Sequence, residues 1–166
     1  MASTKRIILM RHAKSSWKSG APSDHERPLN KRGRRDSPKV GAALARLGWT
    51  PDHVLSSDSS RTTETFARMR ASLGFESEPE FLHALYHGGT DEIRDAIREL
   101  PGTVETVLVL GHNPGWEEAL EWLSGRAETM KTGCAALLTL DAESWPDAAD
   151  AGRRWALASI IYPREL

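Results

Sequence analysis

Short apolar runs alternate along this chain with longer stretches in which apolar residues recur every third or fourth position. Arg6-Ile7-Ile8-Leu9-Met10 is a continuous apolar run, as expected of a strand buried on both faces. A polar loop follows, from about Ala13 to Arg27. Asn30 then stands where its side chain can cap a helix running to about Leu47, with Val40, Leu44 and Leu47 on one face. Pro38 is expected to kink or locally interrupt that helix, and Gly48 to stop it. His53-Val54-Leu55 reads as a short strand. A helix from about Ser60 to Leu73 follows, with Phe66, Met69 and Leu73 on one side and Gly74 as its cap.

A weak strand at Glu80-Phe81-Leu82 leads into the loop Tyr86-His87-Gly88-Gly89. Thr90 is placed to cap a helix carrying Ile93, Ala96, Ile97 and Leu100, which Pro101-Gly102 ends. Thr106-Val107-Leu108-Val109-Leu110 is the clearest strand. Gly111-His112-Asn113-Pro114-Gly115 turns it into another helix, with Asn113 as cap and Pro114 at the first helical position. Ala135 to Leu140 and Trp155 to Tyr162 read as late strands, separated by an acidic, loop-like segment, Asp141 to Gly152. Strands alternating with helices predict one α/β domain over residues 1–166, a three-layer α/β/α sandwich with a mostly parallel central sheet.

Composition narrows the class of function. Hydrophobic residues make up 39% and charged residues 27%, the profile of a globular protein. The net charge of −1 gives no global field to recruit nucleic acid or an anionic membrane, so attraction for a negative substrate must be local. The basic cluster Lys31-Arg32-Gly33-Arg34-Arg35 reads as a solvated helix face. The one cysteine, Cys134, excludes a disulfide framework and a Cys-rich metal site. Ile7 to Met10 is too short for a signal-peptide core, and no apolar stretch approaches the roughly 20 residues of a spanning helix. A cytoplasmic location is the expectation.

In sheets of this kind, ligands bind beyond the carboxyl ends of the strands. Three expected strands end there in polar groups: Arg11-His12, Ser56 to Arg61, and Gly111-His112-Asn113. The topology therefore gathers two histidines and two arginines on one edge, beside two helix N-termini. Helix N-termini and planar guanidinium forks both suit phosphate. A neutral imidazole inside such a cradle is a competent nucleophile, and arginines would stabilise charge on the equatorial oxygens of the transition state.

These residues resemble the histidine phosphatase, or phosphoglycerate-mutase-like, superfamily. Leu9-Met10-Arg11-His12-Ala13-Lys14-Ser15 is similar to its Arg-His-Gly signature. Ser56-Ser57-Asp58-Ser59-Ser60-Arg61-Thr62-Thr63-Glu64-Thr65 is similar to its Ser-x-x-x-Arg-x-x-x-Thr motif, and Gly111-His112-Asn113-Pro114-Gly115 to its late Gly-His motif. The resemblance implies that His12 is the nucleophile and that Arg11, Arg61 and His112 bind the transferred phosphoryl group. Asp24-His25-Glu26-Arg27-Pro28-Leu29-Asn30 resembles the Asp…Arg-Pro-Leu element of the short SixA-like phosphohistidine phosphatase branch, which adds Arg27 as a phosphate ligand. Gly33, Lys131-Thr132-Gly133 and Pro163 also resemble that branch.

Asn113, Lys14 and His87 complete the candidate substrate contacts. His87 qualifies because its glycine-flanked loop sits where larger members place an acid. His25, His53 and His83 read as structural or exposed. Trp17 and Trp116 are candidates to line the pocket, and Arg61 has a competing reading as a partner of Glu64 or another carboxylate.

Two departures stand out. Ala13 replaces the usual glycine. No carboxylate occupies the place of the general acid that larger members carry after the third strand; Asp91 and Glu92 fall in the first turn of the next helix. An alkoxide leaving group needs a proton in the transition state, whereas imidazole leaves readily near neutral pH. Cys134 has Leu140, not arginine, six positions on, and neither a Gly-x-x-x-x-Gly-Lys loop nor an Asp-x-Asp motif occurs. His12 and His112 lack the clustered carboxylates of a two-metal site, so neither metal nor cofactor is expected. The resulting expectation is a phosphatase carrying a phosphohistidine on His12 and acting on phosphohistidine in a protein. A phosphatase of small phosphorylated metabolites and a non-catalytic phosphate-binding regulatory module stay open. Phosphate or another oxyanion is the expected pocket ligand.

Overall fold

Along β1 (Ser3–Arg11), Ile7 and Leu9 enter one hydrophobic core and Ile8 and Met10 enter another. This period-two alternation, with both faces apolar, explains the continuous run in the sequence. β4 (Thr106–Gly111) repeats it, with Val107 and Val109 on one side and Leu108 and Leu110 on the other. The computed structural model describes residues 1–166. The remaining strands are β2 (His53–Ser57), β3 (Glu80–Leu82), β5 (Ala135–Ala142) and β6 (Ala156–Ile161).

The six strands form one sheet in the order β3-β2-β4-β1-β5-β6. β3, β2, β4 and β1 pair in parallel, β5 is antiparallel to β1, and β6 is antiparallel to β5. The sheet is thus mixed, with β5 alone running against the other five. Helices α1 (Lys31–Arg46) and α2 (Ser60–Leu73) cover one face through Val40, Leu44, Phe66, Met69 and Leu73. Helices α3 (Thr90–Arg98), α4 (Gly115–Ser124) and α5 (Trp145–Ala148) cover the other through Ile93, Ile97, Trp116, Leu120 and Trp145. The expected three layers are present.

Several local expectations are corrected. α1 runs through Pro38 without interruption. The cap of α3 is Gly89, not Thr90, and Glu92 reaches back to accept the Gly89 N–H at 2.7 Å. α4 starts at Gly115 with Pro114 as its cap, while the Asn113 side chain turns away to donate to the Met130 carbonyl at 2.8 Å. The acidic segment 141–152 is not simply a loop: it contains α5, whose Trp145 is buried and donates its indole N–H to the Val104 carbonyl. Trp116 is fully buried beneath Gly111, where a Cβ would lie 2.2 Å from its ring, so it supports the site from below and does not line it.

Candidate active site

β1 and β4 are parallel neighbours with Arg11 opposite Gly111, so the residues that follow, His12 and His112, emerge side by side. The His12 backbone is held at both ends. Its N–H donates to the Gly111 carbonyl at 3.0 Å, and its carbonyl accepts the Gly133 N–H at 2.8 Å. The ring is held as well, with Nδ1 2.7 Å from the Ala13 carbonyl. A carbonyl oxygen only accepts, so Nδ1 carries the proton and Nε2 keeps its lone pair. Burial pushes His12 down to about 3, with the charges of Arg61, Arg11 and Arg27 adding to it and the Ala13 hydrogen bond opposing it. The ring is therefore neutral at physiological pH.

His112 contributes the second imidazole. Its Nε2 and the Ser57 hydroxyl are hydrogen-bonded at 2.8 Å. Ser57 Oγ also accepts the Ser59 N–H at 3.3 Å, and a hydroxyl proton donated to His112 Nε2 would leave the ring proton on Nδ1. That nitrogen is buried and without a partner. Burial, and then the neighbouring His12, lowers His112 to about 3.

Three arginines complete the wall. Arg11 Nη1 donates to the Met130 carbonyl at 3.1 Å. Arg61 donates from Nη1 to the Asp24 carbonyl at 2.8 Å and from Nη2 to the Asp24 carboxylate at 3.0 Å. Arg27 donates to Ser15 Oγ and to the Asp24 carboxylate, with its guanidinium 3.6 Å from the Trp17 ring centroid. Arg11 Nε and Arg61 Nε are buried and unpaired. The competing reading of Arg61 as a carboxylate partner is met by Asp24 and not by Glu64, which is taken by Arg34, Arg68 and the Leu29 N–H.

A cleft of about 620 Å³ brings all eight expected site residues together: Arg11, His12, Lys14, Arg27, Arg61, His87, His112 and Asn113. Trp17 lines it too, largely exposed at its mouth. At the N-terminus of α2 the Ser60 N–H donates to the His25 carbonyl and the Thr62 N–H to Ser59 Oγ, and at that of α4 the Trp116 N–H donates to the His112 carbonyl.

Asp24, Tyr86, Glu92 and Glu118 are among the cleft residues to which the sequence reading gives no role. The hydrogen bond from the Tyr86 hydroxyl, aided by Arg61, holds the Asp24 carboxyl at about 2. Asp24 is the acid of the Asp…Arg-Pro-Leu element, so its three-residue spacing from Arg27 is the signal that could have found it. Tyr86 is ringed by four of the six histidines, His25, His83, His87 and His112, at centroid distances of 4.7, 5.8, 4.0 and 5.5 Å. Nothing in the sequence announces that cluster.

An α/β sheet whose central strands end in paired histidines among buried arginines has the phosphoglycerate-mutase-like fold. The family comparison agrees, and the chain belongs to the histidine phosphatase superfamily (branch 1), whose model matches residues 7–129. An uncharacterized chloroplastic protein of Arabidopsis thaliana is 40% identical over 171 residues, covering 96% of this chain and 78% of that one. The proposed phosphohistidine phosphatase SixA of Nakamurella multipartitia superposes with a TM-score of 0.85 at 28% identity, covering 98% of each chain. A protein histidine phosphatase SixA complexed with tungstate shares the fold, with a TM-score of 0.83 at 23% identity, covering 96% of this chain and 98% of that one. No helix is long and apolar enough to cross a membrane.

Proposed function

We propose that this protein is a metal-independent phosphatase that carries the phosphoryl group on His12 Nε2 and hydrolyses phosphohistidine on a protein. The observation that carries the reading is the Ala13 carbonyl on His12 Nδ1, which leaves a lone pair on Nε2 in the same cleft as Arg11, Arg61 and His112, each with a buried unpaired nitrogen. Unpartnered buried donors are costly unless a ligand uses them, and an equatorial phosphoryl oxygen would. The tungstate held by a protein of the same fold supports an oxyanion here.

In the first step Nε2 attacks phosphorus in line while the substrate P–N bond breaks. The bond's electron pair stays with the departing imidazole, which is neutral if its other nitrogen already holds a proton. In the second step water attacks phosphorus, the electron pair returns to His12, and the water's proton leaves with phosphate or solvent. Two of the three acids that line the cleft, Asp24 and Glu92, favour a leaving group that needs no proton. Asp24 accepts from Tyr86, Arg61 and Arg27, and Glu92 accepts from the Gly89 N–H, so both act as acceptors. The single, unpaired Cys134 fits action in the cytoplasm.

Labelled phosphohistidine protein, a sugar phosphate and an aryl phosphate, assayed side by side, test both parts of the reading. Acid-labile label is expected on the wild-type enzyme and none on His12→Ala. Label that survives acid, or that persists in His12→Ala, overturns the nucleophile assignment. Turnover of alkyl phosphates as fast as phosphohistidine peptide overturns the substrate assignment.

A further inference from the structure

Outside the cleft, three potential metal ligands converge from three separate elements. His25 comes from the loop between β1 and α1, Asp58 from the turn between β2 and α2, and His83 from the turn after β3. One ligand atom from each lies within 4.8 Å of the others. His25 Nε2 is 2.7 Å from Asp58 Oδ1, and His83 Nδ1 is 3.0 Å from Asp58 Oδ2. None of the three lines the catalytic cleft.

We propose that His25, Asp58 and His83 form a zinc(II) site on the rim of the cleft. Two imidazoles and one carboxylate suit a borderline cation such as zinc, whereas magnesium and calcium take oxygen ligands. Zinc–ligand bonds of about 2.0–2.1 Å place tetrahedral ligand atoms roughly 3.3 Å apart. The imidazole–carboxylate separations of 2.7 and 3.0 Å need to open by only about half an ångström or less to reach it. His83, with 75% of its side chain exposed, is free to make the side-chain rotation that tetrahedral geometry asks of it.

The site has a mechanical consequence. The edge of the His25 ring packs on Tyr86 at 4.7 Å, and its neighbour Asp24 holds Arg61. Asp58 follows Ser57, the hydrogen-bond partner of His112. A bound ion would therefore clamp the first loop, which also carries Trp17 and Arg27, against the β2–α2 turn. Zinc is expected to act here as a clamp and not as a reactant, so the phosphoryl-transfer scheme above does not depend on it.

Chelator-treated full-length protein, titrated with zinc chloride by calorimetry and with cobalt(II) by visible absorption, tests the site. Saturable 1:1 binding is expected, with a shift in Trp17 fluorescence and a raised melting temperature. His83→Asn and Asp58→Asn are expected to weaken binding at least tenfold, whereas His53→Asn and His112→Asn retain it. His83 lies at the surface, so its variant keeps the fold available for measurement. Absence of saturable binding overturns the proposal. So does binding that survives His83→Asn but is lost in His112→Asn, which would place the ion at the catalytic histidines. Neither result bears on whether His12 carries phosphate.

Discussion

The rings of His12 and His112 lie 5.3 Å apart between centroids, tilted by 52°. The parallel pairing of β1 with β4 sets that separation, and burial keeps both rings neutral. In the proposed reaction a phosphoryl group between them would meet the Nε2 lone pair of His12 and an N–H of His112.

Neither ring should titrate between pH 5 and 8, since both are held near 3. Nitrogen-15 NMR of the imidazoles checks this directly. The sign for stability follows. Between the ordinary value of 6.5 and about 3, the unfolded chain binds protons that the folded sites refuse, so stability falls as pH falls. Each ring steepens that loss by up to ~1.4 kcal/mol per pH unit. A His12→Asn/His112→Asn double variant should show a shallower decline in urea midpoints from pH 6 to 4. An equal slope would place the charge-free state in doubt.

His112→Asn should keep the fold but lower kcat by roughly 10²–10³, the usual cost of one transition-state donor. KM should move much less, because the unpaired Nδ1 gains its partner chiefly as charge develops on the oxygen. A loss confined to KM would make His112 a ground-state contact only.

Asp24→Asn keeps the shape of the loop and removes a negative charge from beside Arg61. Inorganic phosphate should then inhibit more strongly, by up to ~fivefold or about 1 kcal/mol. Weaker inhibition would show that positioning of Arg61 by Asp24 outweighs repulsion.

Gly33→Ala should destabilise the protein by about 1–3 kcal/mol and lower turnover with it. A Cβ on Gly33 would sit 2.2 Å from the Lys14 carbonyl oxygen, in the backbone that follows Ala13. An unchanged urea midpoint would mean that the first loop yields easily. The same contact gives a physical reason for a glycine that the sequence singles out only by resemblance.

Trp17→Ala should leave the melting temperature unchanged and raise KM two- to fivefold, through loss of a cation–π contact of ~0.5–1 kcal/mol that holds Arg27. Unaltered KM would assign Trp17 no part in binding.

The central strands and the histidine pair were legible because burial on both faces writes an unbroken apolar run, and the motif residues stand at its ends. Asp24 was visible as the acid of the Asp…Arg-Pro-Leu element, but its pairing with Arg61, thirty-seven residues away, was not. α5 escaped notice because four residues are too few for a helical period, and its acidic neighbours mask the buried Trp145. The misplaced caps of α3 and α4 share one cause. Thr90 and Asn113 are good capping residues by type, but the chain path put Gly89 and Pro114 at the boundaries.

The reversed direction of β5 has a consequence for how the active centre comes into being. Because β5 runs against β1, its starting end lies at the catalytic edge, and the backbone just before it becomes part of the floor. Met130 receives Arg11 and Asn113, and Gly133 grips His12. These residues lie beyond the segment 7–129 that marks the family. Both histidines thus precede in the chain the grip that aims them, and the part of the sequence that carries the catalytic pair does not carry the backbone that holds it.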